Sequence, residues 1–295
     1  MIPHYPEIKP LEIADRFWIN KHLRATSREI CELTLGNIFI WQDFYRPKIT
    51  CLNKNVCIKL EPPTEKRFWL EPLGHNQVEE TIETLLQANN HGLLVSASYA
   101  ARLPADRYRL TPLRDEFDYL YLRSELAELK GRKYDGKRNH LKRFRNAHPD
   151  YEFRPLVRAD QTAALELFEI WFAARKETKY FKKLAYTAQK NALLAAFANW
   201  QELHLFGGAI YINNEMESFT LGSYLNPESV SVHFLYTNPA LAGIFQATLW
   251  EACHKTFADY KYIDLEQDLG IPGLRTAKLS YHPYKLVEKF EVEKL

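Results

Sequence analysis

Apolar residues recur along this chain with two periods, and the switches between them mark out its elements. Glu12 to Leu35 carries helical spacing and reads as one or two helices. Short β-branched and aromatic runs follow at Ile38–Trp41, Lys48–Cys51, Val56–Leu60 and Phe68–Leu70, and these predict strands. Val78–Gln87 returns to an amphipathic helix, Gly92–Ser96 reads as a buried strand, and Asp118–Leu122 as another. The pattern then begins again. Ala159–Glu177 predicts a helix with Asp160 as its N-cap, and Thr187–Trp200 a second helix. Leu203–Ile212, Glu217–Leu225 and Val230–Tyr236 predict three antiparallel strands, turned at Asn213-Asn214 and at Asn226-Pro227. Pro239–Phe257 reads as a helix with proline in its first turn, followed by strands at Tyr262–Leu265 and Lys285–Val292.

Both halves therefore follow one order of helices and strands, the first in blurred form. The expected fold is α/β (α+β), with two similar domains covering 1–128 and 151–295. Between them, 129–150 is expected to be a basic connecting helix. Lys130 to Arg145 holds eight Lys or Arg against the single acid Asp135. Leu141 and Phe144 lie three apart, so one side of that helix can pack while the rest stays basic. The plain account of such a run is a solvated helix. The functional account is contact with phosphates, with Tyr134 and His140 stacking on unpaired bases.

Composition narrows the classes little further. With 295 residues, 46% hydrophobic and 26% charged, the chain is globular, and its net charge of +2 identifies no partner by itself. Cys31, Cys51, Cys57 and Cys253 have no zinc-ligand spacing and read as reduced thiols, and no metal site is expected. No signal-peptide pattern and no 18-residue apolar run is present, so a cytoplasmic protein without a membrane span is expected.

The densest chemistry lies near the C-terminus, from Glu266 to Pro283. Glu266, Asp268, Arg275, Lys278, Tyr281 and His282 fall there, with Gly270, Pro272 and Gly273 shaping a tight turn. On a helical turn Arg275 and Lys278 share a face. One account makes this segment close a ligand site; the other pairs its Arg and Lys with its own carboxylates.

Two motifs resemble the family named for the C-terminal domain of phosphatidylglycerol lysyltransferase. One is the run from Gly131 to Phe144; the other combines Asp268-Leu269-Gly270, Gly273-Leu274-Arg275, Lys278-Leu279-Ser280-Tyr281 and Pro283. Asn37-Ile38-Phe39-Ile40-Trp41 also fits. The resemblance implies two tandem GNAT-like domains, each a mixed, largely antiparallel sheet flanked by helices. It also implies a transferase of an activated acyl group, similar to enzymes that move an amino acid from aminoacyl-tRNA. Two positions depart from the pattern of soluble relatives. His233-Phe234-Leu235-Tyr236 lacks a Glu-Lys pair, and Asp264-Leu265-Glu266 stands where Asn-Arg-Glu is usual.

Acyl transfer needs a base, a donor to the developing oxyanion and a hold on the phosphate-rich leaving group. Glu266, Asp268, Lys278 and Tyr281 are the expected catalytic residues. Arg275, Lys137, Arg138, Asn139, Arg143 and Gly243 are expected to bind the donor, and Tyr224, His233 and His282 the acceptor. No sequential Ser/His/Asp or Cys/His order is visible, which favours direct transfer. No tightly bound cofactor is expected; CoA or aminoacyl-tRNA is the donor. The Asn238–Gly243 loop carries one glycine, a weak CoA signal. tRNA is the expected partner, and the acceptor, whether small molecule, peptide or lipid, stays open. The alternatives are a CoA-dependent N-acetyltransferase of a small amine and a non-catalytic binding module on the same fold.

Overall fold

The computed structural model describes residues 1–25, 28–63, 66–87, 92–175 and 186–295. Within them, strands β1 (Lys9–Pro10), β2 (Lys48–Leu52), β3 (Asn55–Leu60), β4 (Phe68–Leu70), β5 (Gly92–Ser96) and β6 (Tyr108–Pro112) belong to one sheet. A second sheet holds β7 (Asp118–Leu122), β8 (Glu152–Pro155), β9 (Phe206–Ile212), β10 (Glu215–Asn226), β11 (Ser229–Thr237), β12 (Tyr262–Asp264) and β13 (Lys285–Val287). The last strand, β14 (Lys289–Lys294), returns to the first sheet, giving the orders β1-β2-β3-β4-β5-β14-β6 and β13-β7-β12-β11-β10-β9-β8.

The repeat suspected from the sequence is explicit in these ladders. In the first sheet β2, β3 and β4 pair antiparallel and β4 pairs β5 in parallel. In the second, β9, β10 and β11 pair antiparallel and β11 pairs β12 in parallel. A parallel pair needs a crossover, which the helices Val78–Gln87 and Ile244–His254 supply. The fold is thus two tandem GNAT-like domains, each with a mixed, largely antiparallel sheet and flanking helices.

The sheets do not divide where the sequence-drawn boundary does. β7 precedes residue 128 yet lies in the second sheet, between β13 and β12. β14 ends the chain yet lies in the first, between β5 and β6. The expected strand Lys285–Val292 is accordingly two strands, broken at Glu288 as the chain changes sheets.

Two further expectations are corrected by packing, and a third is met with a different side-chain bond. Ile38–Trp41 is no strand; Leu35–Ile40 is a helix, capped where the Thr34 side chain accepts from the Asn37 amide, and every residue of it is buried. Burial on all sides explains the unbroken apolar run that imitates a strand. The helix expected from Pro239 begins at Ile244, with Pro239 in the preceding loop and Gly243 at the N-cap (φ 89°). A Cβ on Gly243 would stand 2.3 Å from the His140 carbonyl oxygen, so this close approach also requires glycine. Asp160 does sit at the N-cap of Gln161–Ala173, but its carboxylate accepts from the Val157 amide behind it. The expected end of that helix at Glu177 lies outside the described residues.

The basic segment forms the helix Asp135–Ala147. Leu141 and Phe144 are buried with Ile244 and Ala247, so its apolar stripe packs on the helix Ile244–His254. Arg132, Lys133, Lys142, Arg143 and Arg145 remain exposed.

Candidate functional site

β11 is nine residues long, yet it pairs with β12 only from Ser229 to Ser231, opposite Tyr262 to Asp264. Beyond that point the strands part, and polar side chains converge at the fork. The register against β10 explains how. Leu221 pairs with Phe234 but Gly222 pairs with Val232, so His233 is the extra residue of a β-bulge. A bulge reverses the alternation of faces and re-aims a side chain. Val230 and Val232 pack with Leu249 and Ala252, whereas Phe234 and Tyr236 pack with Phe168 and Phe172 on the other side.

The buried imidazole of His233 lies between two partners. Its Nδ1 is 2.8 Å from Glu266 Oε1, and its Nε2 is 2.7 Å from Ser223 Oγ. Burial would raise the Glu266 carboxyl, but His233, Lys278 and Lys289 outweigh it and hold the group below its ordinary range. An ionised carboxylate only accepts. Nδ1 therefore carries a proton; in the neutral imidazole Nε2 is then the acceptor, and the Ser223 hydroxyl donates to it. Ser231 Oγ also donates to Glu266 Oε1 at 3.2 Å. Glu266 itself takes a left-handed backbone (φ 57°), unusual for a long side chain. A Cβ on Gly36 would fall 2.5 Å from both His233 Nε2 and Ser223 Oγ, so only glycine lets the buried helix Leu35–Ile40 close over this pair.

Ser223 is where the chain of hydrogen bonds meets a cavity. A cavity of about 440 Å³ is lined by Asn20, Arg24, Arg28, His204, Ser223 and Tyr224, with Leu35 and Leu203 as its apolar wall. Tyr224 and His233, expected as acceptor residues, and Glu266, expected as catalytic, thus come together at or behind one cavity wall. No consecutive Ser/His/acid order runs along the chain, yet one exists in space: Ser223, His233 and Glu266 have the hydrogen-bond pattern of such a relay. Sequence reasoning misses Ser223 because only the strand register, bulge included, brings it to His233.

The other expected residues fall elsewhere. Asp268 is saturated: it accepts from Arg275 Nε and Nη2 at 2.8 Å each, from Tyr119 Oη at 2.6 Å, from Arg114 at 3.1 Å and from the Gly270 amide at 2.8 Å. Burial would raise its pKa, but these donors, Arg275 first, drive it far below the usual carboxylate range. Arg275 also reaches Asp115. Lys278 lies on the helix Pro272–Leu279 and points its ammonium at the carbonyls of Leu265, Glu266 and Gln267, at 2.5, 3.0 and 2.5 Å. Burial lowers its pKa. Both cations hold the turn that presents Glu266; Arg275 pairs with Asp268 as the plainer sequence account expected, whereas Lys278 meets backbone carbonyls rather than a carboxylate.

A second group gathers where the basic helix meets this segment. Lys137 donates to Ser280 Oγ at 2.6 Å and stands 3.9 Å from the Tyr281 ring centroid. Tyr134 donates to the Tyr281 carbonyl, and His282 packs edge-on against the Tyr134 ring. His282 thus sits with the basic helix, whereas Tyr224 lines the cavity and His233 lies behind its wall. Gly243 abuts the same helix at His140. Arg138 is engaged by the carbonyls of Leu129 and Gly131 and by Asp135, which fixes the helix start. Asn139 and Arg143 lie on the solvent side of the same helix, and both are exposed.

Cys31, Glu32 and Asp118 bring ligand-type atoms within 4.8 Å of one another. A cation already stands among them: Lys289 Nζ lies 2.6 Å from Glu32 and 2.8 Å from Asp118. No described helix is long and apolar enough to cross a membrane.

The fold has counterparts among known proteins. A conserved protein of unknown function from Bacteroides thetaiotaomicron is 30% identical, with 100% of both chains covered and a TM-score of 0.88. The structure of L-PGS from Bacillus licheniformis matches at 14% identity over 99% of this chain and 93% of that one, with a TM-score of 0.64. The C-terminal domain of a putative lysylphosphatidylglycerol synthetase from Agrobacterium fabrum matches at 11% identity, covering 95% and 92%, with a TM-score of 0.61. Among curated proteins none matches. The model of the phosphatidylglycerol lysyltransferase C-terminal family matches residues 23–293, and the chain belongs to that family.

Proposed function

We propose that this protein is an acyltransferase that moves an activated acyl group, carried as an ester on tRNA, directly to an amine or hydroxyl acceptor bound in the Ser223 cavity. The observation that carries the reading is the chain Ser223–His233–Glu266, polarised by an ionised carboxylate and ending at a cavity wall. The acceptor attacks the ester carbonyl. Its proton passes to Ser223 Oγ as the Ser223 proton passes to His233 Nε2, and Glu266 stabilises the imidazolium formed. The same relay returns a proton to the departing ribose oxygen, so atoms and charge balance. Arg275 and Lys278 act by positioning, since they hold the turn that carries Glu266.

Family membership supports acyl transfer, and two local features favour tRNA as donor over CoA. One face of the helix Asp135–Ala147, extended by Arg132 and Lys133, is exposed and basic, which suits a phosphate backbone. The start of Ile244–His254, where a CoA pyrophosphate would seek free amides, is abutted by the His140 carbonyl, the negative end of a peptide dipole. Lys137 and Tyr281 would face the donor's 3′ end from the adjoining group.

The test is equilibrium binding of labelled tRNA and labelled CoA at low and moderate salt, followed by protein-dependent release of amino acid from charged tRNA. Salt-sensitive tRNA binding, with release abolished in His233→Gln, is expected. Tight CoA binding without tRNA binding moves the assignment to an N-acetyltransferase. Binding of neither leaves a non-catalytic module.

A further inference from the structure

Arg28 is anomalous. It is 3% exposed, its Nε has no hydrogen-bond partner, and among the described residues no carboxylate is paired with it. Its guanidinium lies 5.2 Å from the centroid of the Tyr224 ring, and the backbone carbonyl of Arg28 is fixed by Asn226 Nδ2 at 3.0 Å. A buried guanidinium without a counter-charge is costly, and here the Tyr224 side chain, by a hydrogen bond, offsets only part of its desolvation. Burial draws its pKa down to about 10, so it is still a cation at neutral pH. Two other buried cations are more fully partnered: Lys289 has Glu32 and Asp118, and Lys278 has three carbonyls. Arg28 lines the same cavity as Arg24, Asn20, His204 and the Ser223 hydroxyl. The cavity therefore presents two guanidiniums, an amide and an imidazole, with no described acid on its wall.

We infer that this cavity binds a small molecule through an anionic group, a carboxylate or a phosphate, with Arg28 as its buried partner and Arg24 at the exposed side. A planar guanidinium carries N–H groups in a fork that suits bidentate contact with either oxyanion. About 440 Å³ matches a metabolite-sized ligand. Ser223 adjoins the anion site, so the same molecule would place a second group, an amine or hydroxyl, against the relay. Naming the ligand as the acceptor rests on the transfer reaction proposed above; anion binding does not.

The test is a titration of the full chain with inorganic phosphate and, separately, with succinate, followed by thermal unfolding and tyrosine fluorescence at ionic strength held constant with chloride. A saturable stabilisation by one anion is expected, and which anion acts distinguishes phosphate from carboxylate. In Arg28→Leu the affinity should fall about tenfold to a hundredfold, while the ligand-free protein unfolds at the same or a higher temperature because an unpaired buried charge is gone. Arg24→Gln alters an exposed residue, folds normally and should weaken binding by about tenfold or less. Three results would overturn the inference: no saturable response to either anion, an unchanged response in both variants, or an Arg28→Leu protein that is strongly destabilised yet binds normally. A transfer assay that fails while phosphate or succinate still binds through Arg28 would remove the acceptor identification and leave the site.

Discussion

Lys289 and Asp118 are 171 residues apart in the chain, and Lys289 Nζ lies 2.8 Å from Asp118 Oδ1. The first opens β14 in one sheet and the second opens β7 in the other, so this contact ties together the two strands that cross between domains. Glu32 and Cys31 join it from the N-terminal half. Burial alone would lower the Lys289 pKa; Asp118, Cys31 and Glu32 overcome it and raise the group well above its ordinary value. Lys289→Met leaves two carboxylates buried without a cation, and a loss of about 3–5 kcal/mol is expected in urea unfolding. Adding Asp118→Asn should recover part of it. Equal stability of Lys289→Met and the parent would show that the crossing strands hold without this lock.

The Asp268–Arg275 pair makes a pH prediction. Asp268 is held far below its ordinary pKa, so its contribution is fully present above the unfolded value of about 3.9 and is lost as pH falls below it. Arg275→Ala removes two of the donors responsible. The variant should be less stable at pH 7 by about 2–4 kcal/mol, and its stability should fall less steeply below pH ~4 than the parent's. Parallel curves measured by urea unfolding from pH 7 to 2.5 would mean that Asp268 is held down by Tyr119, Arg114 and the Gly270 amide alone.

How much of the structure is legible in the sequence depends on where each signal resides. Period and order are enough for the doubled fold and for β9, β10 and β11, because those elements carry their pattern locally. The helix Leu35–Ile40 reads as a strand because burial on every side erases periodicity. The exchange of β7 and β14 between sheets is invisible, since pairing partners are not encoded in a strand's own alternation. For the site, Glu266 and His233 stand out as polar groups in apolar surroundings, but Ser223 looks like any strand serine. Its role depends on a bulge, which shows only once β10 and β11 are aligned. Arg28 draws no attention in the sequence because an arginine there does not announce a missing counter-charge.

The basic helix separates residues that hold the fold from residues free to meet a ligand. Arg138 is engaged by Leu129, Gly131 and Asp135, so Arg138→Ala should cost stability and alter tRNA affinity little beyond that. Lys142 and Arg143 are exposed on the next turns. Each replaced by Ala should leave unfolding unchanged. For every phosphate that is no longer neutralised, the slope of log affinity against log salt should shrink by about 0.7–0.9. Filter binding of tRNA between roughly 50 and 200 mM salt, the range over which such neutralisation is resolved, reads this directly. A slope unaffected by both changes would remove this helix from the donor site.

In the Ser223–His233–Glu266 relay, stability and activity should part. Ser223→Ala, His233→Gln and Glu266→Gln each break one link, and each is expected to lower transfer by about 10²–10⁴-fold. The effects should not add, because the groups act as one unit: Ser223→Ala with Glu266→Gln should be about as slow as the worse single variant. Glu266→Gln offers the sharpest case. It preserves shape, but its amide can turn a donor toward Nδ1, reversing the tautomer so that Nε2 no longer accepts from Ser223. Its folding stability should fall by only about 1–3 kcal/mol, while transfer collapses. Independent, multiplicative effects in the double variant would mean that Ser223 and Glu266 serve separate steps. Near-parent transfer by Ser223→Ala would make the serine a lid on His233, with the acceptor proton leaving by another path.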